Sequence, residues 1–478
     1  MPPDRKAVGC KWLFKTKEDE KGNIVRYKVR LVAQGFTQKF GVDFDEVFAP
    51  VARQETFRIL LTIASRRKMV AKHVDVKTAY LHGKLEETIY MKQPAGYTTG
   101  DANTVCRLKK SLYGLKQSAR VWNHKIDTVF KNMGFSQGKA DPCLYVRKTR
   151  KSTAYIIIYV DDMVVAAETE EEFEAIFNGL QQHFTVTNLG DLKHFLGMEV
   201  ERTADGFKLN QQKYISKLAS RFGLEDAKVS KIPLDPAYLQ QKEENDQLPN
   251  NTSYLSLIGG LLYIAVHTRP DIAISTSILA QKSSRLTQLD WQEAKRVLQY
   301  LMGASKHKLH LGSTGAGLEM YVDADWAGDH RDRKSNSGYL VRFGGGLISW
   351  GSRKQSCVAL SSTEAELVAL TEGCQELTWI RKLLGEFGIE DRRAVPVYED
   401  NQSCIKLVDG NKIEKRTKHI ETRYFYVRDL KEKEMIDLRY CPTEKMLADI
   451  LTKPLQNLRI KMLREEIGLL PDQVEKEY

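Results

Sequence analysis

Apolar positions recur along the chain in two rhythms, one of strand and one of helix. The densest stretch is Tyr155–Ala167, where two aliphatic and aromatic runs flank Asp161 and Asp162. Each run is of strand length, rich in β-branched residues and apolar at both parities, which suits strands covered on both faces. The Asp-Asp pair between them predicts a hairpin tip. Upstream, residues 1–50 alternate basic and apolar side chains and turn at Lys21-Gly22-Asn23, predicting a hairpin from which Lys15, Lys17, Arg26, Lys28 and Arg30 project. Phe57–Arg67 has helical spacing, and Val74-Asp75-Val76 reads as a short strand. Arg107–Trp122 interleaves basic residues with Tyr113 and Trp122.

Beyond the central run, Glu168–Phe184 predicts an acidic amphipathic helix, and residues 192–211 a second hairpin turning at Ala204-Asp205-Gly206. Pro233–Asn251 is polar and proline-bounded, a linker pattern. Leu255–Leu301 is helical throughout, apart from a break at Thr268-Arg269-Pro270. From Leu318 the rhythm restarts with three short strands. A long helix over Ser361–Phe387 follows, capped by Ser361 or Ser362 with Glu364 nearby. A strand, an acid and a helix come next, then a strand at Glu434–Tyr440 and a short helix at Glu444–Leu451. That order implies a mixed sheet with helices on its faces.

A chain of 478 residues is too long for one core and predicts two to four domains. The net charge of +11 favours a polyanionic partner. The seven cysteines are scattered and form no CxxC pair, which argues against a zinc site or a disulfide framework and for a reducing compartment. The N-terminus lacks the apolar core of a signal peptide, and Leu255–Val266 is too short to span a bilayer. The expectation is a soluble intracellular protein without a membrane partner.

Candidate chemistry lies in acids at the ends of predicted elements. Asp323 ends a strand, Glu366 lies one turn into the long helix, Asp400 follows a strand, and Asp449 sits in the last short helix. Each alone is an ordinary turn, cap or solvated residue. Together they would repel unless cations bind, and magnesium favours a few carboxylates with water and phosphate oxygens. Asp75 with Asp161 and Asp162 forms a smaller set of the same kind. A lone Asp75 in that position is more often a helix cap, and the basic hairpin could hold a triphosphate or a nucleic-acid backbone or simply face solvent.

These residues carry a family resemblance. The stretches RYKVRLVAQGFTQ, FAPVARQETFRILL, HVDVKTAYLHGKLEETIYMKQPAGY, LYGLKQSARVW, YVDDM, LGDLKHFLGMEV and YLSLIGGLLYIAVHTRPDIA lie in order in the first part of the chain. YVDADWAGD, KSNSGYL, SSTEAELVAL, EDNQSCIKL and LADILTKPL follow. The chain resembles the reverse transcriptase and ribonuclease H portion of a copia-type long-terminal-repeat retrotransposon Pol polyprotein.

The resemblance implies an α+β right-hand polymerase (fingers, palm, thumb) followed by an α/β ribonuclease H-like domain with a mixed five-stranded sheet. Fingers and palm would span 1–209, thumb and helical connection 210–312, the ribonuclease H-like domain 313–455 and a C-terminal tail 456–478. It implies that Asp75, Asp161 and Asp162 hold Mg2+ at one site and Asp323, Glu366, Asp400 and Asp449 at another, two ions each, with Mn2+ as a substitute. Glu364 is the alternative to Glu366, which the following Leu-x-Ala favours. Tyr80 would exclude ribonucleotides, while Gln117, Lys28 and Arg30 would meet the nucleotide, and Leu196, Gly197 and Met198 the primer end. His419 has no assigned role. RNA template, DNA primer, RNA–DNA hybrid and deoxynucleoside triphosphates would be partners, alongside integrase or other polyprotein parts missing from this chain. The cytoplasm, in virus-like particles, or the nucleus would be the location. The chain would be a fragment, a degenerate locus or a processed piece. The rivals are a catalytically silent nucleic-acid-binding remnant and a DNA-templated polymerase with a proofreading nuclease.

Overall fold

The computed structural model describes residues 5–18, 24–101, 103–150, 152–240, 248, 250–410 and 421–472. They fall into two compact units, one of Met1–Ala52 with Val70–Asp191 and the other of Arg53–Met69 with Leu192–Tyr478. The division falls at 52/53, 69/70 and 191/192. His419 and the turn at Lys21-Gly22-Asn23 lie outside the described residues.

The first unit is built on a six-stranded sheet in the order Val186–Asp191, Val70–Val76, Asp162–Ala167, Thr153–Tyr159, Leu144–Lys148, Ser136–Gln137, antiparallel throughout. Thr153–Tyr159 and Asp162–Ala167 are buried at consecutive positions, which explains why both parities are apolar. The helices Ser118–Asn132 and Glu170–Gln181 bury Trp122, Ile126, Val129 and Phe130, and Phe173, Ile176 and Leu180. Thr169 caps the second of them by accepting from the Glu172 amide. The basic hairpin forms as expected from Cys10–Glu18 and Ile24–Ala33, with Lys15 opposite Lys28.

The second unit contains two five-stranded sheets. One runs His194–Phe195, Met198–Thr203, Gly206–Asn210, His307–Gly312, Leu469–Pro471, all antiparallel. Its last strand lies in the segment read from sequence as a tail. The other is the expected mixed sheet, in the order Gly346–Lys354, Asn336–Phe343, Glu319–Asp325, Val395–Glu399, Ile436–Tyr440. The first three strands are antiparallel and the last two join in parallel. The long helix Ser362–Glu386 packs on this sheet, capped by Ser361, whose hydroxyl accepts from the Glu364 amide.

Three local expectations change. The short helix at Glu444–Leu451 is two 3-10 turns, Thr443–Lys445 and Leu447–Leu451. The break at Thr268-Arg269-Pro270 is more than a proline effect, because Arg269 is buried in a bidentate pair with Asp271. The helix Gln54–Arg66 belongs with the second unit. Its buried Arg58 donates to the carbonyls of Ile348, Val266 and His267 and lies over the Trp350 ring.

Candidate active sites

In the first unit, Asp75 and Asp162 face each other across neighbouring strands, and the Val76 amide donates to the Asp161 carbonyl at 2.8 Å. Three acids from two distant stretches are thereby brought together by the sheet register. The Asp-Asp pair is not the tip of its hairpin. The connecting residues are Val160 and Asp161, and Asp162 already begins the return strand. Val160 has φ +59°, a costly conformation for a β-branched residue that persists only when its surroundings enforce it. The buried Trp122 does so by donating its Nε1–H to the Val160 carbonyl at 2.6 Å. Burial, then the neighbouring charges of Asp162 and Asp75, raise the Asp161 pKa. His73 Nε2 lies 3.1 Å from Asp162 Oδ1.

Tyr80 stands in a 3-10 turn, its ring 4.9 Å from that of Tyr113. The Arg30 guanidinium lies 4.5 Å from the Tyr113 centroid. Burial first, with Asp161 adding to it, raises the Tyr80 hydroxyl pKa, and Arg30 draws Asp161 downward. Arg30, Tyr113, Tyr80 and the acids therefore share one neighbourhood. Lys28 lies two residues from Arg30, on the same face of its strand and partly exposed. Gln117 differs from expectation. It is buried, accepting from Gln38 at 3.0 Å and donating to the Asp43 carbonyl at 2.9 Å, so its amide is spent on the fold.

In the second unit, Leu196 and Gly197 form the turn before Met198–Thr203, both at positive φ. The Leu196 carbonyl accepts from the Tyr263 hydroxyl. The φ of +74° at Gly197 favours glycine there, and a Cβ would also come within 2.2 Å of the Tyr263 hydroxyl oxygen. Gly197 is exposed, while the Met198 side chain is in the core and can act only by packing.

The second acidic group joins three elements of the mixed-sheet fold. Carboxylate oxygens of Asp323, Glu366 and Asp400 lie within 4.8 Å of one another. Asp323 and Glu366 are buried. Burial foremost pushes Asp323 up to about 6, with Lys453 pulling it down and Asp449 pushing it up. Burial, then Glu399, Asp323 and Asp400, raise Glu366 well above its ordinary value. The Glu364 carboxylate accepts from the Leu360 amide at 2.7 Å and closes the helix cap, whereas it is Glu366 that joins the group with Asp323 and Asp400. Asp449 stands beside the trio. Its two oxygens meet Lys453 and Arg459, each at 2.7 Å. Burial opposes the Lys453 charge, but Asp323 and Asp449 outweigh it and raise the ammonium pKa.

Sequence reading missed Glu399, which is fully buried beside Glu366, with Oε2 lacking a hydrogen-bond partner. It also missed the hydroxyls that orient the acids: Thr443 donates to Asp400 at 2.7 Å and Thr452 donates to Asp323. One available signal was Lys453, a basic residue four positions after Asp449.

Residues 1–236 match the family described as "Reverse transcriptase (RNA-dependent DNA polymerase)". The Nicotiana tabacum "Retrovirus-related Pol polyprotein from transposon TNT 1-94" is 38% identical over 98% of this chain and 36% of its own length. The corresponding Arabidopsis thaliana polyprotein from transposon RE2 is 36% identical over 98% and 32%. A Saccharomyces cerevisiae transposon Ty5-1 protein is 31% identical over 64% of this chain and 100% of its own length. The chain thus spans about a third of the length of the Pol polyproteins it matches. A foamy viral protease–reverse transcriptase solved with double-stranded DNA aligns over 91% of this chain and 65% of its own, at 12% identity and TM-score 0.47, too loose a likeness to bear on side chains.

Proposed function

Because the chain belongs to the copia-type retrotransposon Pol family, in its reverse transcriptase region, we propose that it is an RNA-directed DNA polymerase that also cleaves the RNA strand of RNA–DNA hybrids. One observation carries the reading: carboxylate oxygens of Asp323, Glu366 and Asp400, acids from three distant stretches, lie within 4.8 Å of one another, and in the first unit the strand register sets Asp75 opposite Asp162.

The donor sets suit Mg2+, with Mn2+ as substitute, because all are hard carboxylate oxygens. The second group adds a sharper test. Glu366 Oε2 and Glu399 Oε2 are buried without hydrogen-bond partners, and such acids are costly unless a cation or proton joins them. Asp75, Asp161 and Asp162 would hold ions at the first site, and Asp323, Glu366 and Asp400, with Asp449 beside them, at the second. When bound, two ions per site supply Lewis-acid stabilisation and lower the pKa of the attacking hydroxyl or water.

The chain's own residues do the rest. His73 fixes one oxygen of Asp162, and Trp122 fixes the turn that presents Asp161. Tyr80, braced by Tyr113, is an aromatic wall where a 2′-hydroxyl would intrude, the group that separates RNA from DNA precursors. Arg30, with Lys28 beside it, is the cation for a triphosphate. The Leu196–Gly197 turn offers backbone to a primer end, with Met198 packing beneath it. Gln117 shapes the nucleotide-side loop from inside. Template RNA, primer DNA, deoxynucleoside triphosphates and RNA–DNA hybrid are the partners. Among the described residues no helix is long and apolar enough to cross a membrane, and a cytoplasmic virus-like particle is the proposed setting.

Primer extension on an RNA template with Mg2+ tests this. Wild type extends, Asp161→Asn does not, and Asp400→Asn loses RNA cleavage while extending normally. Hybrid binding without any extension by wild type would instead support a silent remnant.

A further inference from the structure

We propose that Arg459, on the C-terminal helix Asn457–Glu466, is a positioning residue of the second acidic site, holding two of its acids through the loop 443–449. The proposal rests on the nuclease reading of that site.

The Arg459 guanidinium donates to four acceptors: the carbonyls of Thr443 at 2.8 Å, Met446 at 3.2 Å and Glu444, and Asp449 Oδ2 at 2.7 Å. The same loop reaches a second acid, because the Thr443 hydroxyl donates to Asp400 at 2.7 Å. Just beyond Asp449, Thr452 donates to Asp323, and Lys453 lies 2.7 Å from Asp449 and 3.8 Å from Asp323. The stretch Thr443–Lys453 therefore touches Asp400 and Asp323 and supplies Asp449. Its shape is set by a residue outside it.

An arginine suits this task. Loop carbonyls without a ladder partner need donors, and a planar fork of five N–H groups meets several at once, which an ammonium cannot. The helix that carries Arg459 is itself anchored. It buries Ile460 and Leu463, and Arg464 donates at 3.0 Å to the Tyr300 hydroxyl, which donates to Asp271 at 2.6 Å. The following strand, Leu469–Pro471, pairs with His307–Gly312. The segment read as a tail thus ties the nuclease acids to the neighbouring sheet.

Two effects of Arg459 have opposite signs. As a bare positive charge it would repel a divalent ion, so its removal would tighten metal binding. As a positioning residue it keeps the carboxylates aimed, so its removal weakens binding. Loss of a partner behind a metal ligand typically costs about ten- to a hundredfold in affinity or activity.

The test is Mn2+ binding to the full chain, followed by electron paramagnetic resonance in an Asp161→Asn background that silences the first site. Arg459→Met and Thr443→Val are each expected to weaken binding about tenfold, and Arg459→Lys to recover part of the loss. Melting temperatures should stay close to the parent. Unchanged or tighter Mn2+ binding in Arg459→Met and Thr443→Val overturns the proposal. If Arg459→Met does not fold, Thr443→Val, which removes a single hydroxyl, decides alone. Asp400→Asn distinguishes the two levels: if it too leaves binding intact, the acids are not a metal site and the reading beneath the proposal falls.

Discussion

Val160 shows what single residues do in this chain. A valine at φ +59° costs on the order of 1–3 kcal/mol, and here it turns the chain so that Asp161 stands beside Asp75 and Asp162. Trp122→Phe removes the one N–H that secures the Val160 carbonyl. It should lower primer extension severalfold, leave RNA cleavage intact and cost about 2 kcal/mol in denaturant titration of the first unit. At the second site the acids make a pH prediction. The Asp323 pKa is raised in the fold, so the stabilisation from its protonated form is complete below its ordinary value of 3.8 and is lost as pH rises through about 6. Glu366 and Glu399, also raised, act in the same direction. In chelator, the second unit should therefore melt at higher temperature near pH 5 than near pH 8, as far as these groups decide it. Mg2+ should raise the melting temperature more at pH 8, where no proton competes. Equal Mg2+ shifts at both pH values would contradict the assignment. The acids themselves were legible in the sequence because carboxylates at element ends are conspicuous. Glu399 was not, since nothing in a linear string shows that a glutamate beside Asp400 points inward.

At the scale of elements, hydrophobic period was a good guide and membership was not. The hairpins, the long helix and the mixed sheet follow from periods of two and 3.6 residues. The helix Gln54–Arg66 was also legible as a helix, yet its place in the second unit was not, since there it buries Phe57, Ile59, Leu60, Leu61 and Ile63 and its Arg58 meets three carbonyls far along the chain. Arg58→Met would leave those carbonyls without a donor and should destabilise the second unit by about 3 kcal/mol, measurable by denaturant titration. A loss below about 0.5 kcal/mol would show that the helix is held by its apolar face alone. The short acidic segment near Asp449 failed as a helix prediction for a related reason. Its carbonyls are satisfied by Arg459, a donor that local pattern cannot foresee.

At the scale of the molecule, the charge of +11 predicts hybrid binding that is mostly directed at phosphates. Affinity should fall on the order of a thousandfold between about 50 and 200 mM salt, as read by fluorescence anisotropy with a labelled hybrid. A flat salt response would point to base or sugar contacts instead. By itself the amino-acid order determined the element types, the family and the candidate acids, because period, turn residues and collinear motifs are local properties of the string. Tertiary structure alone decided which acids meet, that Gln117 and Met198 turn inward, and that the last helix reaches back to Asp449. Those outcomes depend on register, burial and long-range hydrogen bonds, where one residue's partner is chosen by the packing of all the others.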